Sequence, residues 1–120
     1  MPQASRDPVV VASQLVGQLQ TIVSRNLPPL DACVVSTTQI HAGAAYNVVP
    51  DTATLAGTIR YFKDEVYETA ATRMQDLCDG IAKGFGVDVA LDLRNVFDVL
   101  VNDAALSDAY LEAAAEIVGA

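Results

Sequence analysis

The sequence predicts an α+β fold, in which two helices cover one face of an antiparallel sheet in an open-faced sandwich and a further helix follows at the C-terminus. Three observations predict it. Apolar residues recur at three- and four-residue spacing in three segments, which is typical of helices. Apolar and polar residues alternate in three other segments, which is typical of strands. The predicted elements follow one another in the order α-β-β-α-β-α. A chain of 120 residues suits one compact domain better than a typical two-domain enzyme.

The first helix is predicted to begin at Asp7 and Pro8. An aspartate can cap free backbone N–H groups, and proline is tolerated at the first helical position. Pro28 and Pro29 end the segment. The apolar stripe of this helix consists of Val11, Leu15, Leu19 and Ile22.

Two strands are predicted next. Residues 32–42 are rich in Val, Thr and Ile, and residues 52–62 alternate between the two faces of a half-buried strand. Glycine and proline between them break the extended pattern, so we expect an antiparallel hairpin with a long connection. In the second strand one face is predicted to carry Ala53, Leu55, Ile59 and Tyr61, and the other Thr54, Thr58 and Arg60.

A second helix is predicted to be capped by Asp64 and to end near Gly84 and Gly86. Its predicted buried stripe consists of Val66, Ala70, Met74, Leu77 and Ile81. The alternation from Val87 to Arg94 predicts a third strand. A third helix follows Asn102-Asp103 and carries Leu106, Tyr110, Ala114 and Ile117.

One strand is missing at the front of this pattern. A ferredoxin-like βαββαβ unit needs a strand before Asp7, and the residues there are too polar to supply one. We therefore expect a domain truncated at its N-terminus, with an exposed sheet edge open to unusual pairing.

Composition excludes several classes of function. The net charge of -8 disfavours nucleic acid and anionic membranes as partners. Two cysteines and the single His41 lack zinc-ligand spacing, so no metal site is expected in this chain. The N-terminus lacks the apolar core of a signal peptide, and polar residues interrupt the uncharged run 8–24, so we expect a cytoplasmic protein.

The residues with the most suggestive chemistry are His41, Asn47 and Arg60. An imidazole can donate to a developing oxyanion, and an amide and a guanidinium can bind a carboxylate. The plainer alternative is that His41 ends a strand, Asn47 serves a turn and Arg60 lies on a solvated face.

The sequence resembles the lid domain of the metal-dependent aminoacylase, carboxypeptidase and hippurate-hydrolase family. The resemblance covers residues 7–62 and continues more weakly through Val101-Asn102-Asp103. The matching motifs are Asp7-Pro8-Val9-Val10-Val11-Ala12, Gln20-Thr21-Ile22-Val23-Ser24-Arg25, Ile40-His41-Ala42-Gly43, Asn47-Val48-Val49-Pro50-Asp51 and Gly57-Thr58-Ile59-Arg60.

This resemblance implies that two domains contribute different groups to catalysis. Two divalent metal ions, zinc or manganese, and a general-base glutamate would lie in a catalytic domain outside this chain. The lid would form a homodimer, and His41 would reach the partner subunit's active site to stabilise the oxyanion. Asn47 and Arg60 would bind the substrate's carboxylate, and Gly43 would let the backbone pass close to the substrate.

The sequence thus predicts a lid at residues 1–102 and a helix at 103–120 that returns to the catalytic domain. The intact protein would hydrolyse N-acyl amino acids or related small amides, and the isolated chain would be inactive. The alternative is a stand-alone ferredoxin-like binding or dimerisation module. The acidic clusters 64–68 and 76–79 are expected to be solvated, Cys78 to be packed, and Ser36 not to form a nucleophilic pair with His41.

Overall fold

A computed structural model describes residues 2–119 and confirms the α+β class. The molecule is elongated, with extents of 74 × 29 × 21 Å. A 3-10 turn at Pro2–Ala4 precedes the main elements, which are α1 (Pro8–Thr21), a π-helical turn (Ile22–Asn26), β1 (Cys33–Ala42), β2 (Ala53–Tyr61), α2 (Asp64–Phe85) and α3 (Ala104–Val118).

Helix α1 begins as predicted. The Asp7 side chain accepts a hydrogen bond from the Val9 N–H at 2.8 Å, and Pro8 occupies the first helical position. The helix continues into the π-helical turn, where Ile22 is fully buried. All four residues of the predicted stripe are buried, so α1 packs along the whole length of that stripe.

The hairpin of β1 and β2 is antiparallel and contains one bulge. Residues pair from Cys33 with Tyr61 to Ala42 with Ala53, and the register shifts between Thr37 and Gln39. A bulge inserts one unopposed residue, so the alternation of faces along β1 changes at this point. Val35 faces the helices before the bulge, and the pairing places Ile40 on that same face after it.

The predicted cap of α2 was wrong by one residue. Lys63 is the N-cap, its backbone is extended, and its side chain makes no capping hydrogen bond. Asp64 instead lies in the first turn, where a carboxylate still interacts favourably with the helix dipole. At the other end Gly86 adopts a left-handed conformation with φ 64°, which favours glycine and ends the helix.

The core is a single layer between the two helices and one face of the sheet. Helix α2 buries Cys78, whereas Leu77, which was predicted for the stripe, is only half-buried. Within the described residues no polar or charged side chain is buried. The core cluster consists of Val11, Leu15, Leu19, Ile22, Val35, Ala70, Met74, Cys78 and Ile81.

The prediction of a third strand was wrong, although the predicted alternation of packed and exposed side chains was correct. Val87, Val89 and Leu91 pack against the core, while Asp88 and Ala90 are exposed. No strand forms, because the segment 87–93 lies across a groove from β2 and makes no ladder with it. An extended segment becomes a strand only when a neighbour supplies hydrogen bonds.

Helix α3 forms where it was predicted but packs against nothing substantial. The Asp103 carboxylate caps it by accepting from the Leu106 N–H at 2.9 Å. None of its described residues is buried, and Tyr110 and Ile117 are 77% and 85% exposed. The helix therefore presents an unpartnered apolar surface.

Among residues 2–119 the helices are all too short or too polar to cross a membrane.

Candidate substrate-binding surface

The sheet has one face free of helices, and we call this the outer face. It carries the side chains of Val34, Gln39 and His41 from β1, because the bulge places them on the side opposite Val35. Arg60 of β2 pairs with Val34 and therefore shares this face. Two of the four predicted site residues, His41 and Arg60, thus lie on the same exposed surface.

His41 and Arg60 are nevertheless far apart within one chain. His41 pairs with Thr54, which lies six residues before Arg60 along β2. A strand rises by about 3.3 Å per residue, so the two side chains are separated by roughly 20 Å along the sheet. A single chain does not bring these two groups to one small ligand.

Asn47 lies in the connection between the strands, at the His41 end of the hairpin. It occupies an exposed turn within residues 43–52. Gly43 begins this connection with φ 72°, a conformation that other residues rarely adopt. Glycine is therefore favoured here by the conformation of the backbone that leads from His41 into the loop. The sequence pattern did not reveal this reason for Gly43.

The polar groups of this surface are available to a ligand. The His41 imidazole and the Asn47 amide are exposed, and neither makes a hydrogen bond within residues 2–119. Arg60 donates one hydrogen bond, from Nη1 to the Ile59 carbonyl at 3.2 Å. Most of the guanidinium donors therefore remain free to bind an anion.

Sequence reasoning missed that apolar side chains accompany these polar groups. On the outer face Val34, which pairs with Arg60, is 53% exposed. Ile40 precedes His41 in the chain and is 56% exposed, although it lies on the same face as Val35. In the connecting loop Tyr46 and Val48 are also exposed. The signal was present in the printed sequence, because a half-buried strand seldom carries an apolar residue on its solvent face. Such a surface is typical of one that contacts another protein.

The described residues do not form a metal site. No group of three His, Cys, Asp or Glu side chains within residues 2–119 is placed to hold an ion. Asp76 instead pairs with Arg73 at 2.7 Å, and Asp79 accepts from Gln75 at 2.8 Å. These carboxylates lie on the exposed face of α2, which confirms the prediction that this acidic cluster is solvated.

Both cysteines are free thiols. Cys78 is 3% exposed and Cys33 is half-buried. Burial raises the pKa of both thiols, which lowers the fraction present as the nucleophilic thiolate. The prediction that Cys78 is packed is confirmed.

Known proteins match this chain along nearly all of its length. It is 41% identical over 111 residues to an N-acetyldiaminopimelate deacetylase of Limosilactobacillus fermentum, covering 92% of this chain and 29% of that protein. It is 36% identical over 117 residues to an N-acetylcysteine deacetylase of Bacillus subtilis, and 33% over 118 residues to a hippurate hydrolase of Campylobacter jejuni. Each of these two matches covers 98% of this chain and 31% of the relative. The chain thus spans less than a third of the length of the curated relatives that it matches.

A solved structure has the same fold. It is a dinuclear metal-binding peptidase of the M20 family from B. subtilis, which superposes with a TM-score of 0.70 at 32% identity. The match covers 92% of this chain and 28% of that structure. Residues 1–85 match the family described as the peptidase dimerisation domain of M20 enzymes. This chain therefore belongs to the family of M20 peptidase dimerisation domains.

Proposed function

We propose that this chain is the dimerisation and substrate-binding lid of a metal-dependent amidohydrolase that acts on N-acyl amino acids. The observation that carries the proposal is the outer face, which exposes the His41 imidazole and the Arg60 guanidinium on a chain of the dimerisation-domain family. The relatives named as deacetylases and as a hippurate hydrolase support this substrate class, because each name describes hydrolysis of an N-acyl amino acid.

Each polar residue has a role suited to its chemistry. The His41 imidazole donates a hydrogen bond to the oxygen that becomes negative when water attacks the amide. The Arg60 guanidinium binds the carboxylate of the amino acid, and the Asn47 amide N–H adds a further donor. Water attack itself requires groups that lie outside this chain.

The separation of His41 and Arg60 supports a site built from two subunits. A small N-acyl amino acid is much shorter than the roughly 20 Å between these residues along one sheet. In our proposal Arg60 therefore binds a substrate whose oxyanion is stabilised by His41 of the partner subunit. The homodimer is then a requirement for catalysis.

In this proposal the catalytic metal ions are bound by a domain other than this lid. Since the described residues hold no metal cluster, two divalent ions, zinc or manganese, would be bound by a catalytic domain outside residues 1–120. The B. subtilis structure described as dinuclear supports that number. The apolar, unpartnered α3 supports a boundary near residue 102, with residues 103–120 docking on that catalytic domain. We place the whole protein in the cytoplasm, where free thiols such as these stay reduced.

A chimeric enzyme tests the proposal. This chain would replace the matching segment of the L. fermentum deacetylase, and hydrolysis of N-acetyl amino acids and of hippurate would be followed with zinc or manganese. We expect His41→Ala to lower kcat by about 100- to 1,000-fold, because an oxyanion donor is lost. Gln39→Ala, on the same face two residues away, is the matched control and should retain activity. Equal activity of both variants would contradict the role of His41.

Mixed dimers test the arrangement in trans. One chimera would carry His41→Ala, and the other would carry an intact lid with an inactivated metal domain. Neither homodimer should turn over substrate at an appreciable rate, whereas mixing them should restore activity if His41 acts across the interface. Failure to restore activity in verified mixed dimers would place His41 in its own subunit's site.

A stand-alone binding or dimerisation module is the alternative function. It would be favoured if the chimera is inactive while the isolated chain forms a dimer and binds small carboxylates through Arg60. Metal-dependent amidase activity of the isolated chain would contradict both proposals.

A further inference from the structure

Two exposed apolar side chains lie beside Arg60 at its end of the outer face. Val34 pairs with Arg60 across the hairpin, and Phe62 follows Arg60 by two residues. Paired residues on antiparallel strands have Cβ atoms about 5 Å apart, and alternate residues along an extended chain are about 7 Å apart. Val34 is 53% exposed and Phe62 is 73% exposed, so both side chains are accessible to a ligand bound at Arg60.

The direction of the Phe62 side chain follows from that of its neighbour. Tyr61 faces the helices, because its ring stacks on Tyr67 of α2 with the centroids 4.9 Å apart. The backbone is extended through Tyr61, the last residue of β2, and again at Lys63. Successive side chains of an extended chain point to opposite faces, so Phe62 lies on the same side of the sheet as Arg60.

An ion pair anchors the chain directly after Phe62. The Lys63 ammonium pairs with the Asp31 carboxylate, which joins the start of α2 to the segment before β1. The hydrogen bond to Asp31 raises the pKa of Lys63, so this ammonium stays charged and paired. Lys63 is therefore already matched by a carboxylate, whereas most donors of the Arg60 guanidinium remain free for a substrate.

The stereochemistry of an amino acid relates these side chains to a substrate. The carboxylate and the side chain branch from the same carbon atom, so a carboxylate bound to Arg60 places the side chain within a few ångströms of the guanidinium. Val34 and Phe62 lie at that distance. The next pair on the outer face, Ser36 with Thr58, is polar, so the apolar contact is confined to the Phe62 side of Arg60.

We propose that Val34 and Phe62 form an apolar subsite for the amino-acid side chain of the substrate whose carboxylate is bound by Arg60. The inference rests on the proposed function, from which it takes the role of Arg60. It narrows the substrate class to N-acyl amino acids with an apolar side chain, such as leucine. A glycine substrate leaves the subsite empty, and a charged side chain loses hydration there without gaining a partner.

Ligand binding by the full chain tests the subsite without catalysis, because Arg60, Val34 and Phe62 belong to one subunit. N-acetyl-L-leucine and N-acetylglycine would be titrated separately and followed by NMR chemical shifts. We expect N-acetyl-L-leucine to bind at least about fivefold more tightly, because its side chain leaves water on contact with Phe62. Phe62→Ala should remove most of this preference. Phe85→Ala, at the far end of α2, is the matched control and should retain it.

Kinetics of the chimera provide a second measurement. The ratio of kcat/KM for N-acetyl-L-leucine to that for N-acetylglycine should fall by at least about fivefold in Phe62→Ala. Arg60→Ala should lower kcat/KM for both substrates, because both carry the carboxylate. Circular dichroism would verify that each variant folds, and light scattering would verify that each still forms the dimer.

The outcomes separate this subsite from the proposed function. Equal affinity for the two ligands, no binding of either, or an unchanged kinetic ratio in Phe62→Ala would overturn the subsite even if the chimera is active. An inactive chimera would contradict the proposed function, and the titration of the full chain would then decide the subsite by itself. A weaker dimer in Phe62→Ala with an unchanged preference for leucine would assign Phe62 to a protein contact instead.

Discussion

Gly57 shows how a single residue permits the bulge in the hairpin. A Cβ atom at this position would lie 2.1 Å from the Ser36 carbonyl oxygen, well inside contact distance. The opposing atom belongs to the backbone and has no flexible side chain that can turn away. Glycine is therefore required here because β1 approaches β2 closely, and the bulge it permits places His41 on the outer face.

Gly57→Ala is expected to destabilise the chain by about 1–3 kcal/mol, because β1 must shift to relieve the contact. Gly80→Ala is the matched control, since Gly80 lies in α2 with open space around it. That control should stabilise the chain by roughly 0.5–1 kcal/mol through better helix propensity. Urea unfolding of both variants measures the difference, and equal midpoints would contradict the close approach.

The two cysteines are expected to differ in reactivity. Iodoacetamide at mildly alkaline pH should modify Cys33 in the native chain before Cys78, because Cys78 is the more buried. Since burial raises the pKa of both thiols, both should react faster after unfolding, when the thiolate forms at lower pH. Peptide mass spectrometry reads out each site, and native labelling of Cys78 at its unfolded rate would disprove its burial.

At the scale of elements, α1 and α3 have the same kind of N-terminal cap but differ in their packing against the core. Asp7 and Asp103 each accept a hydrogen bond from a backbone N–H at the start of a helix. The two caps are chemically alike, but α1 lies in the core and α3 buries no described residue. Their contributions to global stability should therefore differ.

Asp7→Ala is expected to lower the free energy of unfolding by about 0.5–2 kcal/mol, because α1 loses its cap and is part of the cooperative core. Asp103→Ala should reduce helix content without moving the main unfolding transition. Circular dichroism during thermal unfolding measures both. A larger shift from Asp103→Ala would mean that α3 packs on the core.

Truncation after Asn102 tests the independence of α3 directly. The midpoint of thermal unfolding should stay unchanged, because no described residue of α3 is buried. The truncated chain should bind less of a hydrophobic dye, since exposed side chains such as Leu111 and Ile117 are removed. A substantially lower midpoint would contradict the boundary proposed near residue 102.

At the scale of the whole molecule, charge and apolar surface act in opposite directions on association. Each chain carries a net charge of -8, which repels a second copy over several ångströms. The exposed apolar residues of the outer face and of α3 favour contact. Salt screens the first effect and not the second.

The proposed dimer should therefore strengthen as ionic strength rises from about 10 mM towards physiological salt, where the Debye length is about 8 Å. Light scattering should give twice the 12.6 kDa mass of one chain, with a lower dissociation constant at higher salt. A monomer at every salt concentration would contradict the proposed dimer of isolated chains.

The sequence by itself determined the kind and order of the elements that formed. Apolar spacing is a local property of the chain, so the buried stripe of α1, the faces of β2 and the position of α3 could be predicted from residue order. The resemblance in the motifs around His41 and Arg60 likewise pointed to the family that the comparisons established.

Only the tertiary structure decided the features that depend on a neighbour distant in sequence. The alternation in the segment 87–93 was correct, yet no strand formed because pairing requires an adjacent edge. The separation of His41 from Arg60 follows from the register of two strands, which residue types do not fix. Local patterns specify which face of an element is apolar, whereas burial, pairing and distance depend on long-range contacts that cannot be read from residue order alone.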